Sequence, residues 1–153
     1  MIYGVVAFIE LRNMSDKKTL RFITGNAHKF KEVKQFIQQK FPHFKIVKKD
    51  LPLQEIQAES LKEVAAFKVQ SVKDLIEPPY FIEDAGFFVD DVCNGFPGVY
   101  SSYVMKTIGY DGILKIMDGE KERKAHFESV IAFATSEGGI VLFKGVNKGK
   151  VSL

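Results

Sequence analysis

Cysteine is all but missing from this 153-residue chain. Cys93 stands alone, which excludes a disulfide framework and a cysteine metal knuckle and makes a reducing, cytoplasmic setting the simplest reading. Charge of one sign is missing too: 22 lysines and arginines face 19 acids, for a net charge of +3. That balance mildly favours small anions and is too weak for a nucleic-acid surface. The densest basic groups, Lys45/Lys48/Lys49 and Lys144/Lys148/Lys150, are interrupted and carry no regularly spaced aromatic partners. The opening apolar run, MIYGVVAFIEL, is far too short to span a bilayer and lacks the basic n-region and small-residue cleavage site of a signal peptide. Neither membrane insertion nor secretion is expected. Repeats, low-complexity tracts and Pro/Gly/Ser-rich linkers are absent. What remains, 46% apolar and 27% charged, is the composition of one soluble globular domain large enough for a real core.

Residues 1–17, an apolar β-like run followed by a polar stretch, read as an N-terminal extension ahead of a domain over 18–153, with Met14 an alternative start. Residues 20–24 read as the first core strand. Over 26–40, Phe30, Val33, Phe36, Ile37 and then Phe41 recur at helical intervals until Pro42 stops the pattern. A short strand is expected over 44–47 and irregular chain over 51–57, where Pro52 removes a backbone donor. A second helix is expected over 58–76, its apolar stripe formed by Leu61, Val64, Ala65, Phe67/Lys68, Val72 and Leu75. Pro78-Pro79 ends it and leads into a strand over 80–83. A loop over 93–98, short helices over 101–108 and 110–117, and two strands over 127–134 and 140–146 joined by a turn complete the pattern. Strands alternating with helices and closing on a hairpin predict an α/β domain with a mixed sheet.

Three stretches carry chemistry. In Thr24-Gly25-Asn26 a strand runs through a glycine turn into a helix without being a Walker A sequence. The helix behind it offers unpaired N–H groups and a positive dipole end, and Lys29 lies in its first turn, within reach of an anion. The plainer reading is a helix start, with Asn26 as the cap and Lys29 solvated. In Phe81-Ile82-Glu83-Asp84-Ala85-Gly86 two carboxylates close an apolar strand, where ligands gather in α/β sheets. Adjacent strand residues point to opposite faces, so one of the two can face a cleft and hold Mg²⁺ or accept a proton from water. The alternative is a polar strand end entering a turn. In residues 51–59, Glu55 and Glu59 precede a helix, where the dipole alone favours acids, or else one of them supplies a second metal carboxylate. The other candidates are weaker. His28, His43 and His126 have no metal-ligand spacing, and His126 is placed at a strand edge. Ser101-Ser102 lacks a nucleophile-elbow context, no Ser/His/Asp set is evident, and Phe87 and Phe88 read as core or cleft wall.

Taken together, the segments TGNAHKFKEV (24–33), LPLQEIQAE (51–59), IEDAGFFVDDVCNGFPGVYSS (82–102) and RKAHFESVIAFATSEGGIVLFKGVNKGKVS (123–152) resemble the inosine triphosphate pyrophosphatase family. The resemblance runs from about Leu20 to the end. It implies a two-lobed domain on a long curved mixed sheet flanked by helices, usually a homodimer. The implied activity is Mg²⁺-dependent hydrolysis of non-standard purine nucleoside triphosphates (ITP, dITP, XTP) to a monophosphate and pyrophosphate. Carried over by position, Thr24, Gly25, Asn26, Ala27, His28 and Lys29 would cradle the triphosphate. Glu55 matches the acidic metal ligand, and Asp84 matches the residue that approaches the metal and activates water, with Glu83 beside it. Ala85, Gly86 and Phe87 would complete the substrate wall, and Ser102 a further substrate-facing position. Two departures stand out. Ala85 sits where the family commonly has a small hydroxyl residue. The chain also stops at Val151-Ser152-Leu153, before the glycine-aromatic-Asp-Pro and Ser-His-Arg segments that supply much of the family's base recognition. Two expectations follow from a family member without its C-terminal strands and helix: an active pyrophosphatase, or a weak or inactive nucleotide-binding, dimerising remnant. The Maf-like pyrophosphatases, on the same fold, match less well.

Overall fold

The computed structural model describes residues 19–152, so the N-terminal extension expected over 1–17 lies outside the described residues. Strand β1 (Thr19–Ile23) alternates toward the core and leads through the Thr24–Asn26 turn into helix α1 (Ala27–Lys40). Asn26 is extended (φ −87°, ψ 108°), and its side-chain oxygen accepts from the amides of His28 and Lys29, which starts the helix. Strand β2 (Lys45–Lys49) follows, and then helix α2 (Leu61–Ser71). α2 is shorter than the expected 58–76. Ser60 and Glu63 form a reciprocal capping box that sets its start, and its buried residues Leu61, Val64, Ala65, Lys68 and Val69 form one face. Beyond Val72 the stripe does not continue, and Leu75 is exposed.

The largest departure from the sequence reading is strand β3 (Tyr80–Val89), which runs straight through Glu83 and Asp84 instead of ending there. Gly86 is a strand residue rather than a turn residue. A Cβ at this position would lie 2.6 Å from the carbonyl oxygen of Gly98, in strand β4 (Pro97–Gly98), so only glycine lets the two backbones approach. Helices α3 (Ser101–Thr107) and α4 (Gly109–Ile116) follow, and then strands β5 (Lys124–Ala134) and β6 (Ile140–Lys150), a hairpin longer at its far end than expected.

The sheet order is β2-β1-β3-β5-β6, with β4 on the free side of β3. β1 pairs parallel with β2 and β3, while β3–β5 and β5–β6 are antiparallel. The sheet is therefore mixed, as the alternation of strands and helices predicts. His126 pairs with Phe88 on one side and Lys148 on the other, so it is interior to the sheet and not at the expected strand edge. It stacks on Phe88 and meets Asp90 through Nδ1 at 2.6 Å.

Three cores divide the domain into two lobes. On one face, Phe22, Phe81, Ile131 and Phe133 pack against Val33 and Ile37 of α1. On the other, Ile23, Ile82, Val130 and Ala132 pack against Leu61, Ala65 and Val69 of α2. A separate cluster of Val89, Val104, Ile113 and Met117 closes the far lobe, at the other end of β3 and β5. β1 pairs with β3 only at Arg21–Tyr80 and Phe22–Phe81, and β4 takes over at Phe87 and Phe88. Between those points, over Ile82–Gly86, no strand among the described residues pairs with that side of β3. That gap lies between the lobes, beside the Thr24–Asn26 turn, and it opens into a cleft.

Candidate active site

The cleft has a volume of about 840 Å³, and its lining includes Asn26, Lys29, Ala85, Gly86, Phe87 and Ser102. Six of the residues expected to meet substrate thus share one cavity. Thr24 is buried and works locally: its hydroxyl accepts from the amide of Asn26 at 3.1 Å. Gly25, Ala27 and His28 are exposed around the turn. Gly25 does not adopt a positive φ, and a Cβ there would find only an ordinary contact with Asp50 at 3.7 Å. The turn therefore does not require glycine for its shape, and what glycine supplies is bare backbone open to a close-lying ligand.

Capping limits what the helix start can offer. The amides of His28 and Lys29 are occupied by Asn26 at 2.9 and 3.1 Å. Of the first three helical N–H groups only that of Ala27 remains without an intrahelical or capping partner. An anion here would rely on that amide, the Asn26 side-chain NH₂ group and above all the Lys29 ammonium. Asn26 as cap and Asn26 as ligand are compatible, because the oxygen caps while the nitrogen points away.

Glu83 and Asp84 project to opposite faces of β3, as strand alternation requires. The Glu83 side chain is only 2% exposed; one oxygen accepts from Ser129 Oγ at 2.6 Å and the other meets Lys29 Nζ. On the opposite face Lys68 Nζ reaches Asp84 Oδ1 at 3.0 Å, Asp84 Oδ2 at 2.9 Å and Glu55 Oε1 at 2.9 Å. Asp84 Oδ2 and Glu83 Oε2 are alike in being buried and charge-paired to a lysine without a well-aligned hydrogen bond. Burial raises the Asp84 pKa and the like charge of Glu83 adds to it, outweighing the opposing pull of Lys68 and Lys29. Burial by itself would lower the Lys68 pKa, but hydrogen bonds and charge from Asp84 and Glu55 together raise it.

Lys68 is the site residue that sequence reasoning misses. Its position within the stripe of α2 is the available signal, since a buried lysine requires a charged partner. Ser101 is a second omission: it accepts from the amide of Phe87 at 2.7 Å and donates to Gly98 at 2.6 Å, fastening β3, β4 and α3 at the cleft wall.

Comparison with known proteins fits this geometry. Residues 20–153 match the Ham1 family. The chain belongs to the Ham1 family. It is 43% identical over 133 residues to the dITP/XTP pyrophosphatase of Thermococcus kodakarensis, covering 87% of this chain and 70% of that protein. To the dITP/XTP pyrophosphatase of Pyrococcus horikoshii it is 44% identical over 131 residues, covering 86% and 68%. The solved Ham1 protein of Staphylococcus aureus superposes with a TM-score of 0.72 at 20% identity, over 88% of this chain and 72% of that one. The HAM1 protein of Coxiella burnetii gives a TM-score of 0.72 at 20% identity, over 88% and 73%. These two structures establish the Ham1 fold for this chain, and the resemblance read from the sequence is borne out.

Proposed function

We propose that this Ham1-family chain hydrolyses non-standard purine nucleoside triphosphates (dITP, ITP and XTP) to the monophosphate and pyrophosphate, with Mg²⁺ and with Asp84 as the base that activates water. The names of its archaeal relatives support the substrate class. The observation that carries the chemistry is the convergence of Glu55 and Asp84 on a single cationic position, the Lys68 ammonium, with Asp84 next in the strand to the glutamate that holds Lys29.

The residues present fit a magnesium ion. Among the described residues no three His, Cys, Asp or Glu side chains cluster as a complete metal cage. Mg²⁺ does not need one: it keeps several waters and is commonly held by one or two carboxylates plus substrate phosphates. Glu55, largely exposed, and Asp84, which shares the Lys68 ammonium with it, would be those carboxylates. When bound, the ion would neutralise phosphate charge and acidify a nearby water.

In this reading Lys29 and the Ala27 amide bind and orient the phosphate chain. The Asp84 carboxylate takes the proton from the attacking water. The water oxygen bonds to the α-phosphorus, the bond from that phosphorus to the α–β bridging oxygen breaks, and pyrophosphate leaves. Lys68 holds Asp84 in place, and Glu83 positions Lys29. Glu83 is thereby assigned to the lysine and not to the metal. The same reading carries a homodimer in the cytoplasm, checked by sedimentation; no helix of the described residues is long and apolar enough to cross a membrane.

The test is pyrophosphate release from dITP, ITP, XTP and ATP, with and without Mg²⁺. Release from the first three, far exceeding that from ATP and abolished by chelation, is expected. Equal release from ATP, or none from any of the four, would overturn the proposal.

A further inference from the structure

We propose that Phe127, set against Phe87 on the floor of the cleft, is the platform on which the base of the bound nucleotide stacks. This rests on the proposed nucleotide reading of the cleft and adds a subsite to it.

The argument starts from one face of β5. Residues 127, 129, 131 and 133 share that face by strand alternation. Phe133 and Ile131 are 5% and 3% exposed, in the core packed against α1. Ser129 is buried and bonded to Glu83. Phe127 alone is left open: it is 53% exposed although its strand has neighbours on both sides. It is outside the far lobe's core, whereas Phe87 packs against that core and meets Phe127 with ring centroids 4.9 Å apart. An aromatic face left open inside a cleft is a surface for another flat, apolar group.

Its position relative to the phosphate cradle supplies the second argument. Glu83, Ala85 and Phe87 occupy the same face of β3, opposite Ile131, Ser129 and Phe127 respectively. Glu83 holds Lys29 at one end of this row. Four residues further on, about 13 Å at the rise of an extended strand, lies the aromatic pair. Between them Ala85 is small and exposed, leaving a shallow trough. A polar anchor, a trough and then an aromatic pair follow the order of a nucleotide's phosphates, sugar and base. Stacking of this kind tolerates any base, so the platform gives affinity for nucleotides over base-free polyphosphate and not a choice among purines.

The experiment compares wild type, Phe127→Leu and Phe127→Ala in dITP hydrolysis, with inorganic tripolyphosphate as a base-free competitor. Loss of one base–aromatic stack predicts KM for dITP raised about 5- to 100-fold in the alanine variant and less in the leucine variant. kcat and tripolyphosphate inhibition should be unchanged. Unchanged KM in the alanine variant, or equal weakening of tripolyphosphate, would overturn the platform. A second measurement does not depend on turnover. The chain has no tryptophan, so Phe127→Trp introduces its only indole. Its fluorescence should change on addition of dITP but not of tripolyphosphate. If dITP is bound with that signal but never hydrolysed, the platform stands and the pyrophosphatase reading fails. If dITP is hydrolysed without the signal and without a KM change in the alanine variant, the reverse holds.

Discussion

On one face of β3 a buried glutamate, Glu83, holds Lys29, and Ser129 closes its remaining oxygen. On the other face a less buried aspartate, Asp84, shares Lys68 with Glu55. The first centre is neutral and nearly closed, one carboxylate to one ammonium. The second has two carboxylates to one ammonium and is left net anionic. Two acids adjacent in sequence are thus sorted by strand alternation into a centre whose lysine is proposed to meet phosphate and a net anionic centre suited to a metal or a proton. The difference lies in charge count, and in the proposed mechanism it is what suits one centre to positioning and the other to reaction.

Neutralising Asp84 should break this contrast most severely. Asp84→Asn keeps the shape of the side chain but removes the proposed proton acceptor and one of the proposed metal oxygens. Turnover should fall about 10²- to 10⁴-fold, the usual range for a lost general base, while nucleotide binding measured by calorimetry persists. Turnover within a few-fold of wild type would remove Asp84 from the reaction.

Lysine substitution on the other face should act on binding instead. Lys29→Met removes the charge proposed to meet phosphate and leaves the buried Glu83 carboxyl without its ammonium partner. KM for dITP should rise at least about tenfold, the loss of one charge-assisted contact. Stability should drop by about 1–3 kcal/mol, or roughly 2–12 °C in Tm at this chain length. Adding Glu83→Gln should restore much of the stability and none of the affinity. If the double variant bound dITP as wild type does, Lys29 would have only a structural role.

How much of this was legible without coordinates follows from which contacts are local. The Asn26 cap, the first helix and the order of strands and helices depend on neighbours within a few residues, and hydrophobic periodicity places them. The opposition of Glu83 and Asp84 is equally local, because it follows from the period of a strand. Lys68 is not: its place in the stripe of α2 looks like part of an apolar face, and its partner lies 16 residues away on β3. The continuation of β3 past Asp84 is hidden for the same reason. Gly86 reads as a turn until the Gly98 carbonyl, 2.6 Å from where a Cβ would stand, supplies another cause.

Lys68→Met should sharpen the comparison through pH. Folding raises the Lys68 pKa above its ordinary 10.5, through Asp84 and Glu55 and against the effect of burial. The stability it contributes is therefore complete below that ordinary value and is lost as pH rises through the folded-state value. The methionine variant should be less stable at neutral pH and should lose less stability than wild type in the alkaline range. It should also turn over more slowly, by about tenfold, since Asp84 is no longer held and faces Glu55 without an intervening cation. An alkaline melting profile that parallels wild type would separate Lys68 from the pair.

The smallest effect belongs to the neutral centre. Ser129→Ala deletes the 2.6 Å bond to Glu83 and leaves the carboxylate with Lys29 alone. One buried hydrogen bond to a charged group contributes about 1.5–3 kcal/mol at most, and Lys29 still compensates most of the charge, so a loss near the lower end is expected. Because Glu83 positions Lys29, the kinetic consequence should be a two- to threefold rise in KM, about half a kcal/mol, with kcat and the Mg²⁺ dependence unchanged. A fall in kcat with KM unaltered would mean that disturbance on this face crosses β3 to Asp84, and the two centres would then have to be treated as one.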